Sequence, residues 1–460
     1  MFKRILIANR GEIAMRLIRC CREMEIDTVL AYSEADKDSL PVQFATYPVC
    51  IGPAKASESY LQQDLLIDVA RKMECEAIHP GYGFLSENAD FAEKCEQNGI
   101  IFIGPSADII RKMGNKQAAR TLMKQNQVPV APGSDGAVQT LAEAEAVADK
   151  IGYPVLVKAA AGGGGRGMRK AFSKEELKSA YETAKAEALS AFGDDEMYLE
   201  KLILKPHHIE FQILGDSFGN IIHLGERDCS IQRRNQKMME ESPSKVLSSE
   251  LRKEMGEAAV RAAKAAGYYS AGTVEFVLDQ EKHFYFIEMN TRIQVEHPVT
   301  EMVSNVDLVK EQIRVAAGLR LNATQADIVL TGHAIECRIN AESPERGFAP
   351  TPGTIEFLHL PGGNGVRIET AMYQGYTISP YYDSMVAKII VHAESRLDAI
   401  RKMRVALEEV MVQGIDNNAF FQYLILYHPD YIRGNYDTSF LEEHMGELLE
   451  WHKAGVKGER

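Results

Sequence analysis

The chain has no CxxC pair, no GxGxxG after its first strand, no domain-scale basic stretch, and no apolar run approaching the ~18 residues of a membrane helix. Each absence removes a class of function. Seven scattered cysteines (Cys20, Cys21, Cys50, Cys75, Cys95, Cys229, Cys337) leave an odd one over, so neither a zinc site nor a disulfide framework is indicated and reduced thiols are expected. The first apolar run, residues 5–8, is too short for a signal peptide, and a cytoplasmic location without membrane attachment is expected. A formal net charge of -13 opposes nucleic-acid binding, because neutralising phosphates takes a basic surface that releases counterions. An anionic substrate is still admissible where Lys and Arg cluster locally. The first turn reads Asn9-Arg10-Gly11-Glu12 in place of a dinucleotide fingerprint, which argues against a dehydrogenase. Repeats and low-complexity segments are not evident.

What remains is the composition of an ordinary globular protein, 45% hydrophobic and 25% charged. Its 460 residues suggest about three domains at ~150 residues each. The expected fold class is α/β, α+β overall. Over 1–113, short apolar strands (5–8, 29–32, 77–79, 100–103) alternate with amphipathic stretches such as 12–24 and 60–73, the pattern of a doubly wound parallel sheet. Over 114–330, helices are expected to give way to hairpins, and the strand at 154–158 runs into four glycines, 162–165. Glycines let backbone N–H groups approach phosphate, so this segment suits a flap over a nucleotide as well as a plain flexible hairpin. Residues 331–460 open with strands and turns and close with two helical stretches, a mixed α+β capping domain.

The chemistry concentrates after Gly272. Residues 273–278 and 283–288 read as two strands joined by a loop at 279–282. A loop of that length sets Glu275 opposite Phe286 and Glu288 diagonally on the same face, ~7 to 8 Å away. Two close carboxylates repel unless a cation lies between them; magnesium is the natural one, since it takes oxygen ligands, and Asn290 continues the face. The alternation runs on through Arg292, Gln294 and Glu296, with Ile293 and Val295 turned away. Arg292 suits an oxyanion, and Glu296 suits a general base acting on it. His208 lies on the polar side of 208–213 and alone reads as a surface histidine. The cluster Gln232-Arg233-Arg234-Asn235-Gln236-Lys237 is the local basic patch, although such a cluster is usually solvated. Over 333–340, Glu336, Arg338 and Asn340 share one side.

With these motifs in view the sequence resembles the biotin carboxylase family of ATP-grasp enzymes. The segments that carry the likeness are Ile5-Leu6-Ile7-Ala8-Asn9-Arg10-Gly11-Glu12, His79-Pro80-Gly81-Tyr82-Gly83-Phe84, the glycine loop ending Arg166-Gly167-Met168, Glu226-Arg227-Asp228-Cys229-Ser230, Glu288-Met289-Asn290-Thr291-Arg292-Ile293-Gln294-Val295-Glu296-His297 and Tyr381-Tyr382-Asp383-Ser384-Met385. The resemblance implies an N-terminal biotin carboxylase domain at 1–113, an ATP-grasp domain at 114–330 with a mobile glycine-rich lid over about 131–203, and a C-terminal biotin carboxylase domain at 331–460. It implies ATP, and Mg2+ or Mn2+ at two sites held by Glu275, Glu288 and Asn290. Lys116 and Lys158 would neutralise ATP phosphates, and Gly164 and Gly165 would cover them. Glu200, Lys201, Leu202 and Ile203 would edge the adenine, while His208, Gln232 and Asn235 would border the nucleotide. Lys237, Arg292, Gln294 and the backbone of Val295 would bind bicarbonate.

Glu296 would take the bicarbonate proton on the way to carboxyphosphate, Arg338 would stabilise the biotin enolate, and Tyr82 would border the biotin. Two departures stand out: Asn235 replaces a frequent histidine, and Ala161 begins a glycine run that is often one longer. No Met-Lys-Met biotin attachment sequence is found, so biotin is expected on a separate biotin carboxyl carrier protein, with carboxyltransferase subunits as further partners and a homodimer as the assembly. That makes the expected role the first half-reaction of acetyl-CoA carboxylase in fatty acid synthesis. The alternatives are a subunit of a pyruvate or another acyl-CoA carboxylase, a different ATP-grasp ligase such as a purine-biosynthetic carboxylase, and a catalytically silent nucleotide-binding scaffold.

Overall fold

The computed structural model describes residues 1–159, 168–193 and 195–457. Near the N-terminus, β1 (Arg4–Ile7), β2 (Asp27–Tyr32), β3 (Tyr47–Cys50), β4 (Ala77–His79) and β5 (Ile101–Phe102) pair in parallel, in the order β3-β2-β1-β4-β5. Alternation along β1 sends Ile5 and Ile7 to one face, against Ile13, Leu17 and Ile18 of the helix Gly11–Glu23, and Leu6 to the other, against Leu66, Ile78 and Phe91. Both faces are therefore covered, as a parallel sheet requires. The strand order reverses between β1 and β4, which opens a crevice beyond their carboxyl ends. Asn9 ties that crevice shut at its base: its Nδ2 donates to the carbonyls of Pro80 at 2.6 Å and Tyr82 at 2.7 Å. The helix expected over 60–73 begins only at Gln63, because Tyr60 turns inward, donating to Asp36 at 2.6 Å and stacking on Phe84 at 4.8 Å.

Helices do not give way after residue 114. Lys116–Gln125, Leu141–Ile151, Lys174–Phe192 and Ser249–Ala266 all lie in the central segment. The last of these packs an alanine face, Ala258, Ala259, Ala262 and Ala263, into a core with Ile209, Phe211 and Ile213. Small side chains at helical spacing carry less hydrophobic contrast than Leu or Ile, which is why the hairpin signal hid them. β6 (Val155–Ala159), β7 (Met168–Ala171) and β8 (Met197–Lys201) form a small antiparallel sheet, β7-β6-β8, whose own core joins Val155, Val157 and Leu199 to Ala148, Leu177 and Tyr181. Gly164 and Gly165 lie outside the described residues.

The largest sheet carries the chemistry. β9 (His207–Gly215), β10 (Ile221–Arg233), β11 (Gln236–Ser242), β12 (Ser270–Leu278), β13 (Phe284–Asn290) and β14 (His333–Asn340), with the strands Val366–Thr370 and Met385–Ala393, run in the order β13-β12-β9-β10-β11-β14 followed by Met385–Ala393 and Val366–Thr370. Its antiparallel pairing of β11 with β14 joins the chain on either side of residue 330 in one sheet. Beyond it stand four helices where two were expected: Arg396–Glu408, Ala419–Tyr427, Pro429–Arg433 and Phe440–Lys457. Pro429 cannot extend the helix before it, and Gly434 at φ +79° closes the next one. All seven cysteines are free, and no helix among the described residues is long and apolar enough to cross a membrane.

Candidate active site

Cross-strand register builds the site. Arg227 on β10 faces Glu210 on β9, Glu210 faces Glu275 on β12, and Glu275 faces Glu288 on β13, so four charged residues form a row on one face of the sheet. Glu275 and Glu288 are direct partners, not the diagonal neighbours expected from a four-residue loop. The loop is one residue longer, since Phe284 and not His283 pairs with Leu278. That shift alone would turn Glu288 to the far side. A bulge at Ile287, the residue left without a partner between Phe286 and Glu288, restores the parity. β13 is also the edge strand, so Glu288 is half-buried while Glu275 is buried.

A single ammonium sits among the inner carboxylates. Lys237 Nζ donates to Glu210 at 2.5 Å, Glu296 at 2.6 Å and Glu275 at 3.0 Å. It comes from the β10–β11 hairpin, whose two turn residues, Arg234 and Asn235, both have positive φ, the two-residue turn that suits strand twist. Asn235 is exposed at that turn, and Gln232 pairs with Lys237 across it. The expected solvated face is thus corrected: the turn is solvated and Lys237 is not, because the hairpin folds it over the carboxylate row. Part of the cation demand assigned to magnesium is met by this lysine and, at Glu288, by Lys116 Nζ at 3.2 Å.

His208 is likewise no surface histidine. It is a strand neighbour of Glu210 and Glu275, with Nε2 3.1 Å from Glu275. Burial opposes its charge, but Glu275 and Glu210 outweigh burial and lift its pKa to about 9. Burial also opposes ionisation of Glu275, yet Lys237 and His208 hold it well below the ordinary carboxylate value. An ionised Glu275 beside Glu288 and the Asn290 amide oxygen is an all-oxygen donor set, which fits a hard divalent cation such as Mg2+.

The expected strand does not continue past Asn290: residues 291–296 are a turn that enters the helix His297–Ser304. Its side chains still reach the row. Gln294 donates to Glu275 at 2.8 Å and accepts from Arg227 at 2.7 Å, and Asn290 donates to Glu275 at 2.8 Å. Arg292 lies at the rim, donating to Glu87 at 3.0 Å and to the Asn290 side-chain oxygen at 3.1 Å. Glu296 takes Lys237 on one oxygen and Arg338, from β14, on the other at 2.9 Å. Burial resists its ionisation, but Lys237 and the two arginines Arg338 and Arg227 draw it down to about 2. The Val295 carbonyl accepts from Lys388 at 2.8 Å, and Lys388 also pairs with Glu12 at 3.0 Å, the carboxylate that Tyr82 contacts from the crevice.

Lys158 on β6 and Glu200 on β8 are in ion-pair contact, with Arg120 3.6 Å from Glu200. Lys201 and Leu202 continue from β8, their amides donating to Pro132 and Pro154, and Ile203 follows. These residues stand on the smaller sheet, apart from the carboxylate row. Sequence reasoning missed Glu210, Arg227 and Lys388. Arg227 is fully buried and spends its donors on Glu210, Gln212, Thr273, Gln294 and Thr300. The parity of His208 and Glu210 was the one readable signal; Lys388 stands in an apolar strand where only the fold shows its partners.

Comparison with known proteins places these features in a wider setting. Residues 1–110 match the family described as biotin carboxylase, N-terminal domain; 115–324 match the carbamoyl-phosphate synthase L chain, ATP binding domain; and 336–443 match the biotin carboxylase C-terminal domain. The chain is 55% identical over 443 residues to biotin carboxylase 1 of Bacillus subtilis, covering 96% of this chain and 98% of that one. It is similar to the crystal structure of the Hydrogenobacter thermophilus 2-oxoglutarate carboxylase biotin carboxylase domain dimer in complex with MgADP, ADP and bicarbonate, with TM-score 0.93, 52% identity and coverage of 97% and 99%. The biotin carboxylase–βγ-ATP complex from Campylobacter jejuni aligns with TM-score 0.94 and 51% identity, covering 96% and 99%.

Proposed function

From the premise that this chain belongs to the biotin carboxylase family and is an ATP-dependent carboxylase, we propose that it carboxylates biotin, borne on a separate carrier protein, with bicarbonate and ATP. The observation that carries this reading is Glu296 gripped between Lys237 and Arg338 at the end of the Glu210–Glu275–Glu288 row. Bicarbonate is seated by Arg292, Gln294, Lys237 and the Val295 backbone. Lys116 and Lys158 face the ATP phosphates, Glu200, Lys201, Leu202 and Ile203 edge the adenine, and His208, Gln232 and Asn235 border the nucleotide. Mg2+ or Mn2+, held by Glu275, Glu288 and Asn290, supplies charge neutralisation to the phosphates.

Glu296 accepts the bicarbonate proton. In the resting arrangement two cations suppress its basicity; when Lys237 turns to an incoming phosphate, that restraint weakens and Glu296 gains proton affinity. The bicarbonate oxygen then displaces ADP from the γ-phosphorus, and the carboxyphosphate so formed splits into carbon dioxide and phosphate. That phosphate takes the ureido N–H proton of biotin. Arg338 stabilises the enolate as its nitrogen attacks carbon dioxide. Tyr82 borders the biotin.

We divide the chain at residues 113 and 330, with a lid over about 131–203, and infer a homodimer, carboxyltransferase partners and a place in malonyl-CoA synthesis. The relatives support a 2-oxoglutarate or pyruvate carboxylase subunit equally, since the acceptor binds elsewhere. The deciding experiment measures ATP hydrolysis by the isolated protein: it should require bicarbonate and rise with free biotin. Turnover indifferent to bicarbonate would defeat the reading.

A further inference from the structure

Behind Arg338 lies a pair of carboxyl groups that the reaction above does not use. Glu240 on β11 and Glu336 on β14 are direct partners in the antiparallel register, which puts their side chains on one face within reach of each other. Both are sealed from solvent, at 1% and 0% exposure; among the described residues neither Glu336 oxygen nor Glu240 Oε2 has a hydrogen-bond partner, and Glu240 Oε1 meets the Arg338 guanidinium. Two dry carboxylates so placed resist joint ionisation, and one proton stays with the pair. Arg338, two residues from Glu336 on the same side of β14, stands 2.5 Å from Glu240 and 2.9 Å from Glu296 through the same guanidinium nitrogen. The remaining charged neighbours are Lys237, Glu296 and Lys388, and Lys388 is already committed to Val295 and Glu12.

We propose that Glu240 is a positioning residue for Arg338, and that Glu336 behind it keeps a proton so that the buried pair carries a single negative charge. This rests on the reading of Arg338 as the group that meets the biotin enolate. The single charge matters because of where Arg338 must be. Two buried anions would draw the guanidinium inward, away from biotin. With none, Glu296 alone would hold it, leaving the base and the enolate stabiliser locked together. One anion behind and one in front keep Arg338 between them, free to pass to the enolate. Burial, then the neighbouring carboxylates, push both groups upward, Glu336 well above the ordinary value and Glu240 to about 7. The negative charge therefore settles on Glu240, where Arg338 compensates it.

The proton is tested without activity. Infrared difference spectra at mildly alkaline pH should show the carbonyl stretch of a protonated buried carboxyl in the wild type and in E240Q, and lose it in E336Q; persistence of the band in E336Q overturns the assignment. Kinetics test the positioning. E336Q, a fixed neutral mimic, should keep biotin carboxylation within about threefold of wild type, whereas E240Q should lose about a hundredfold while bicarbonate-dependent ATP cleavage without biotin stays within about threefold. E240D should recover part of the loss and keep a pH inflection that E240Q lacks. Equal losses of both activities in E240Q, or no loss of either, overturn the positioning role. A wild-type chain with no bicarbonate-dependent ATP cleavage would defeat the functional reading itself, and the infrared band still decides the proton.

Discussion

Single residues set the division of labour between the two half-steps. Among the described residues Glu296 is the one carboxylate touched by both Lys237 and Arg338, so its loss should strike the step that consumes bicarbonate. E296Q is expected to lower bicarbonate-dependent turnover by about 10²- to 10⁴-fold with nucleotide affinity nearly unchanged, read by steady-state kinetics and nucleotide titration. Undiminished turnover would remove the base. R338Q should behave differently, losing biotin carboxylation by more than it loses ATP cleavage, and parallel losses would contradict the enolate role. Arg338 was legible in the sequence as a polar residue at even spacing in an apolar strand, Glu296 was read from the same alternation although it stands in a turn, and Lys237 was visible only as part of a basic cluster. Arg227 and Lys388 were not, because their partners come from other strands, from the turn at 291–296 and from the helices His297–Ser304 and Gly11–Glu23, and a lone charge in a strand says nothing of what will neutralise it.

Elements decide on which side those residues stand. The bulge at Ile287 is the device that lets a five-residue loop coexist with Glu288 on the face of Glu275. Deleting Ile287 should leave Glu288 opposite Glu275 in an unbulged ladder and keep Mg2+-dependent nucleotide binding within about threefold, whereas E288Q should weaken it by at least about tenfold, both measured calorimetrically. Retained affinity in E288Q would show that the facing pair is not needed. In the β10–β11 hairpin, Asn235 occupies φ +63°, a conformation asparagine tolerates and β-branched residues do not. Asn235→Val should cost about 1–2 kcal/mol in denaturant unfolding, and Asn235→Gly much less. The hairpin was legible only as a basic cluster expected to be solvated. The bulge was not: no residue type announces it, and it shows only in the pairing of β13 with β12.

At the scale of the whole molecule, the buried charges couple stability to pH. In metal-free protein His208 binds its proton more tightly when folded, at about 9 against an ordinary 6.5, so its contribution is complete below 6.5 and is lost as pH climbs through 9. Glu240, raised by burial from 4.5 to about 7, loses stability over that rise as well. Glu296 and Glu241 run the other way: burial opposes their charge, but Lys237 and Arg338 at Glu296, and Arg396 and His333 at Glu241, hold both near 2, so their contribution is present above 4.5 and lost as pH falls toward 2. The thermal midpoint is therefore expected to peak between 4.5 and 6.5 and to decline toward pH 9. A midpoint that rises over 6.5 to 9 would show that His208 is not charged. The alternation of strands and helices near the N-terminus was settled by residue order alone, because hydrophobic period and turn chemistry act over a few neighbours. The carboxylate row, the lysine buried within it and the sheet shared across residue 330 were decided only by folding, since a buried charge is stable only where distant strands bring its counter-charge.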